Sequence, residues 1–228
     1  MRTGRRWFVV TALVVIGTAV ILVTHARAST DNRVALPVSA QLAPVLHGIP
    51  QHGAWLGRMD APLTLVEYAD VQCPYCARFS RDVFPAVVKK YVRSGRVRVL
   101  YRGLAFVGPD SLTGLRWVVA AGRQNRLWNV LELLFANQGQ ENSGWVTAAR
   151  LEAVTHDIPG LRLVALRHDS RGAAVTAQIR AAAAAARAAG VPGTPYFQAG
   201  RSLSTLSTLQ IRSWNPADFG SQLDKLLN

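Results

Sequence analysis

Cysteine is almost missing from this chain of 228 residues, which has two, Cys73 and Cys76. A scaffold held by several disulfides is thereby excluded. A structural zinc site of the usual kind, which needs four ligands, is disfavoured: there is no second C-x-x-C, and the paired His47 and His52 stand apart from the cysteines in the proline-bearing arm, with His156 and His168 far off. Covalent haem attachment asks for histidine directly after the second cysteine, where Ala77 stands. Lysine is scarce too: Lys89, Lys90 and Lys225 are the only three, so arginine supplies 23 of the 26 basic residues. The formal charge of +13 includes Arg2, Arg5, Arg6 and Arg27, in a 28-residue start that has no acid, and the remainder is +9. That charge is spread along the chain, which argues against a nucleic-acid surface. No internal repeat is present. What the chain does have is apolar residues, half of its composition, enough for a core that needs no cross-links.

The start reads as an export signal. Arginines at Arg2, Arg5 and Arg6 precede an uncharged run from Trp7 to Thr24, followed by Ala26-Arg27-Ala28, an A-x-A cleavage pattern. The run is 18 residues, long for a signal and at the lower limit for a membrane helix. Residues 1–28 are therefore expected to be a cleaved signal peptide or a retained N-terminal membrane anchor, with cleavage favoured. Either way the body is extracytoplasmic, in the periplasm or at the outer face of the cytoplasmic membrane, where thiols tend to be oxidised. Residues 29–53, with three prolines and no periodicity, read as a linker or arm, and residues 54–228 as one domain.

The two cysteines fall between patterns of different period. "PLTLVEYAD" is apolar and β-branched, a strand signal, and Phe79, Val83, Val87, Val88, Tyr91 and Val92 recur at helical spacing behind "CPYC". Pro85 is expected to kink that helix, and Ser94-Gly95 to end it. "VRVLYRG" then alternates as a second strand. Strand, helix, strand places both cysteines at a helix N-terminus. Three residues apart, they share a face at a separation that suits a disulfide. Unpaired N–H groups and the helix dipole favour thiolate at the first of them. Cys73 is thus expected to be the exposed nucleophile and Cys76 the buried resolving thiol. Pro74 and Tyr75, between them, tune the pair. A purely structural disulfide here would close a tiny loop and remove little chain entropy.

A second signal lies far away in "AGVPGTPYFQAG", where Gly193-Thr194-Pro195 precedes a short strand and Pro195 is a candidate cis proline. Together, "APLTLVEYADVQCPYCARF" and "GVPGTPYF" resemble the DsbA family of extracytoplasmic thiol-disulfide oxidoreductases, in the thioredoxin-like superfamily, over roughly residues 53–228. The resemblance implies an α/β thioredoxin-like fold. It implies that Thr194 and Pro195 bind substrate, Thr194 pairing its backbone with a client strand beside Cys73. It also points to Glu67, six residues before Cys73, as a buried carboxyl that exchanges a proton with Cys76; Asp70 is the alternative. No cofactor beyond the Cys73–Cys76 disulfide and no metal is implied.

Cys73 and Pro195 lie 122 positions apart, far more than the ~30 residues of a β-α-β unit. The excess reads as helices near Leu112–Gln124, Leu127–Asn137, Trp145–His156, Leu161–Arg167 and Ala173–Ala189, a helical insertion over about residues 110–189 of the kind the family carries. Trp117, Val118, Trp128, Leu131, Leu134 and Phe135 are read as its core. Strands near Pro195–Ala199 and Leu206–Ile211 and a helix after Asn215-Pro216 should complete the domain. The expected activity is that of a dithiol oxidase introducing disulfides into unfolded or partly folded exported proteins. The family implies reoxidation by a membrane quinone-linked partner, and a monomer is expected. Tyr75 in place of histidine, and Thr194 before the proline, depart from the common DsbA pattern and keep a reductase or isomerase open, as is a redox-silent, thiol-based metal-binding module.

Overall fold

The computed structural model describes residues 44–228. The segment expected to be a signal peptide or anchor, and most of the expected arm, lie outside the described residues. Among the described residues no helix is long and apolar enough to cross a membrane.

Six strands form one mixed sheet: β1 (Gln51–His52), β2 (Trp55–Leu56), β3 (Leu63–Ala69), β4 (Val97–Gly103), β5 (Tyr196–Gly200) and β6 (Ser207–Leu209), in the spatial order β1-β2-β4-β3-β5-β6. β3 and β4 run parallel and every other pairing is antiparallel. All seven residues of β3 are buried, as expected of a central strand covered on both faces, and this is why "LTLVEYA" reads as a continuous run rather than an alternation. The connection between the parallel strands is helical. α1 (Pro74–Asp82) and α2 (Phe84–Val87) lead into a π-helical turn over Val88–Val92, closed by the Arg93 N–H on the Val88 carbonyl at 2.9 Å.

The sequence pattern predicts one helix kinked at Pro85; the structure breaks it instead. Val83, with φ stretched to −116°, separates α1 from α2, and Pro85 falls in the first turn of α2, where a missing N–H costs no hydrogen bond. Gly95, with φ 72°, then turns the chain into β4.

Between β4 and β5 lie α3 (Pro109–Gly122), α4 (Leu127–Ala136), α5 (Ala148–Thr155), α6 (Leu163–Asp169) and α7 (Ala173–Ala188). The Ala-rich α7 ends in a Schellman turn: Gly190 takes φ 62° and the Val191 N–H reaches the Ala186 carbonyl at 3.0 Å. The last helix, α8 (Pro216–Leu227), is capped by the Asn215 side chain, which accepts from the Ala217 N–H.

One face of the sheet carries Tyr101, Glu67 and Phe197 side by side, since Glu67 is in register with both of the others. α1, α4 and α8 cover this face. Phe79 of α1 packs on Phe197 at 4.3 Å between ring centroids, Phe219 of α8 on both at 5.1 Å, and Trp128 of α4 edge-on to Tyr101 at 6.1 Å. Trp128, fully buried, also stacks on Phe84 at 5.4 Å and donates its indole N–H to the Ala54 carbonyl. The aromatic stripe of α4 is thus core, as its spacing predicts. The segment read as an arm differs in its last residues: Gln51 and His52 pair with Trp55 and Leu56, adding a hairpin to the sheet. It is held by side chains rather than by length, because Gln51 bonds Asn129 at 2.7 Å and accepts from the Trp128 N–H, and Asn125 accepts from the Gly53 N–H.

Candidate active site

β3 delivers the chain to Cys73 through Asp70, Val71 and Gln72, and each residue of this corner is tied down. The Asp70 carboxylate accepts from three backbone N–H groups: Gln72 at 2.8 Å, Phe106 at 2.6 Å and Val107 at 2.9 Å. An acid engaged this way anchors the corner. Gln72 bonds Ser111 and the backbone of Asn142, and the Gln138 side chain donates to the Val71 carbonyl at 2.8 Å and the Cys73 carbonyl at 3.2 Å. The insertion thus holds the active-site corner from above, and nothing in the spacing of Gln138 or Asn142 marks them for that task.

Cys73 is the N-cap of α1 and Pro74 occupies its first turn. No side chain caps this helix, so its first N–H groups are left to the sulfur. As a thiol, Cys73 donates to the Thr194 carbonyl at 3.2 Å. As a thiolate it accepts instead, from the Cys76 thiol, the Thr194 side chain and the backbone N–H groups of Cys76 and Tyr75. The Cys76 hydrogen bond is the largest of these effects, and together they outweigh partial burial and bring the Cys73 pKa down to about 6. Burial chiefly, and then the neighbouring Cys73, push the Cys76 thiol well above its ordinary value. Two thiols one turn apart therefore differ in kind. Both are free thiols in this structure. The expectation of an exposed Cys73 needs correction: it is 5 % exposed, against 0 % for Cys76, because Thr194 and the corner close around it and leave a narrow approach to the sulfur.

Glu67 lies inside the core at 2 % exposure, and burial alone raises its pKa to about 8. Its charge is also felt at Cys76. A carboxylic acid is thus held protonated near the thiol that must gain and lose a proton. Thr194 and Pro195, joined by a cis peptide, lie against Cys73. Pro74 and Tyr75 separate the two sulfurs, and Tyr75 is 60 % exposed. Tyr75 stacks nearly parallel on Trp214 at 6.2 Å, and the Arg78 guanidinium lies 4.7 Å over the Trp214 ring. Beside them a groove of about 270 Å³ is lined by Tyr75, Pro195, Phe197, Leu209, Ile211 and Trp214. Trp214 was not singled out in the sequence, where it is an isolated aromatic in a polar stretch. A third buried acid group, Glu132 on α4, was also missed. Among the described residues no group of three or more histidine, cysteine, aspartate or glutamate side chains could hold a metal ion.

A cis-proline loop closed over a C-x-x-C helix N-terminus, on a mixed sheet with a helical insertion, defines a dithiol protein of the thioredoxin-like class. A family model described as Thioredoxin matches residues 51–210. The probable disulfide bond formation protein D of Bacillus anthracis is 25 % identical over 195 residues, which cover 82 % of this chain and 82 % of that protein. Disulfide bond formation protein D of Bacillus subtilis is 32 % identical over 102 residues, 42 % of this chain and 44 % of that one. In fold, the chain is similar to oxidised BdbD from Bacillus subtilis, with a TM-score of 0.67 at 20 % identity over 78 % of this chain and 97 % of that one. The chain belongs to this thioredoxin family and, within it, to the DsbA-like protein thiol-disulfide oxidoreductases.

Proposed function

We propose that the chain works as a dithiol oxidase for exported proteins. The observation that carries this reading is the stabilisation of Cys73 as a thiolate, with a pKa of about 6, by hydrogen bonds that exist only once its disulfide is open. Whatever stabilises the reduced form makes the disulfide a stronger oxidant and makes Cys73 the better leaving group.

The exchange follows from the positions of the atoms. A client thiolate attacks Cys73 Sγ of the Cys73–Cys76 disulfide; the S–S bond breaks, Cys76 Sγ takes the electron pair, and Glu67 supplies its proton. A second client thiolate then attacks the client sulfur of the mixed disulfide, and Cys73 departs as thiolate. Two client thiols have become one disulfide, and the two electrons rest on the Cys73–Cys76 dithiol. A client strand can pair with the backbone of Thr194, since main-chain hydrogen bonds are indifferent to client sequence. The groove beside Tyr75 and Trp214 gives apolar client residues a seat. Reoxidation falls to a membrane quinone-linked thiol oxidoreductase, and the N-terminal signal places the domain outside the cytoplasm, with cleavage after Ala28.

The test is a Cys76→Ser variant expressed in the native host. Without the resolving thiol, Cys73 should accumulate mixed disulfides with exported proteins, and the wild-type reduction potential should lie above that of the glutathione couple. No trapped species in an oxidising extract, or a potential below glutathione, overturns the oxidase reading. A mature N-terminus at Met1 or Arg2 overturns the cleavage.

A further inference from the structure

Tyr75 and Arg78 stand one turn apart on α1, and both rest on Trp214, from the loop that leads into α8. The Tyr75 ring lies at 4° to the indole, and the Arg78 guanidinium is 4.7 Å from the indole centroid. Arg78 is held at a second point, through Nε on the Asp82 carboxylate at 3.3 Å. Among the described residues its two terminal nitrogens have no hydrogen-bond partner. The loop under Trp214 is braced as well: the Ser213 hydroxyl bonds the Asp218 carboxylate and accepts from the Asn215 N–H at 3.1 Å.

Charge at this corner does not balance. Asp82 also bonds Arg81, at 3.0 Å, so one carboxylate serves two guanidinium groups. Asp218 is engaged with Ser213, and the exposed Arg212 adds a further positive charge to the loop. None of the residues lining the groove is charged. Trp214 therefore joins two different surfaces, an apolar groove on which a client can seat a side chain and a guanidinium at its rim. A guanidinium stacked on an aromatic ring gives its face to the ring and keeps its N–H edge outward. That planar edge matches a carboxylate through two parallel hydrogen bonds. On a helix that rises ~1.5 Å per residue, Arg78 lies ~7.5 Å along the axis from Cys73, about the span of two residues of extended chain.

We propose that Arg78 is a specificity-determining residue, selecting client segments that carry an aspartate or glutamate within a few residues of the reacting cysteine. This rests on the exchange reading given above and adds the client's charge to it. The client carboxylate accepts from the two terminal nitrogens of Arg78, which keeps its place over Trp214, while an apolar neighbour occupies the groove. Arg78 takes no part in the transfer of electrons. It acts on which client is held while the sulfurs react.

The experiment compares the oxidation of peptide dithiols by the full chain at low ionic strength. The peptides share one apolar residue and differ at a single site, which is aspartate, asparagine or lysine and is moved from three residues before the reacting cysteine to three after it. At the preferred site kcat/KM for the aspartate peptide should exceed that for the asparagine peptide about fivefold, the upper range for an exposed ion pair. The lysine peptide should be poorer still, and the spread should shrink as salt is raised. In Arg78→Glu the order should reverse, with the lysine peptide best. In Arg78→Lys, which keeps the charge and loses the planar fork, the order should hold with a smaller spread. No preference for aspartate at any site, a preference unchanged in Arg78→Glu, or an equal loss for all three peptides in both variants overturns the proposal. If the unsubstituted protein oxidises none of the peptides, it is the exchange reading that fails.

Discussion

The Thr194 carbonyl oxygen stands 3.2 Å from Cys73 Sγ, across a sequence separation of 121 residues. In the dithiol that carbonyl is occupied by the Cys73 thiol; once Cys73 is a thiolate or is oxidised, it is free to accept from a client backbone. The same contact partly covers the sulfur, and Cys76 is more deeply buried still, so selectivity between the two thiols is a matter of acidity and of access together. Four outcomes follow from this geometry.

Alkylation of the reduced protein should modify Cys73 alone, with a rate that climbs through a midpoint at about pH 6. The Cys76 thiol is the largest contributor to that acidity, so Cys76→Ala should move the midpoint up towards the ordinary thiol range, and Cys76→Ser, which keeps a donor, should move it less. Iodoacetamide kinetics with peptide mapping measure both. Equal labelling of the two cysteines, or a midpoint indifferent to Cys76→Ala, contradicts the site as described.

Glu67 should weaken the fold as the solution becomes alkaline. Its folded pKa of about 8 lies above the ordinary 4.5, so the unfolded chain gives up its proton first. Stability is lost progressively as pH rises from about 4.5 to about 8 and is constant beyond, for this group. Glu67→Gln abolishes that loss. Its melting temperature should match the parent near pH 4.5 and exceed it increasingly up to pH 8, where the gain is on the order of a few kcal/mol. Thermal melts of both reduced proteins across this range decide it, and parallel curves would rule it out.

Trp214→Ala should impair exchange with protein clients and spare exchange with glutathione. Trp214 stacks on Tyr75 and walls the groove that Tyr75 and Pro195 also line. A rise of several-fold in KM for a peptide dithiol, corresponding to about 1 kcal/mol for a contact aromatic, is the expected reading. An equal effect on glutathione would mean that Trp214 shapes the cysteines and not the groove.

Trp128→Ala should cost about 3–5 kcal/mol, the range for deleting a large buried aromatic. The indole fills the junction of Phe84, Tyr101 and Ala54, so its removal loosens α4 from the sheet and the β1–β2 hairpin together. Denaturant unfolding measures the loss. A cost below 1 kcal/mol would show that the hairpin and insertion are independently held.

Much of this was legible in the sequence, because it depends on short-range pattern. The run "LTLVEYA", the helical recurrence after Cys76 and the alternation of "VRVLYRG" are local, and a C-x-x-C at a strand-helix junction dictates which thiol meets the helix N-terminus. The distant G-T-P was recognisable because proline and glycine carry their conformational preferences with them. What the sequence left undecided was every contact set by packing over long separations. Gln138 and Asn142 grip the Cys73 corner across 65 and 70 residues, two-residue strands beside Gly53 are held by Gln51 and Asn125, and Pro85 falls at the start of a helix and not within one. Cys73 is covered, and not open, because Thr194 folds back upon it. Glu132 reads in the sequence as one polar residue in an apolar helix, and its burial against Ser80 exists only when α4 is laid on α1. Short-range periodicity states what an element is; which side chains meet beneath it depends on how the elements pack, and that is where the proton chemistry of this site was decided.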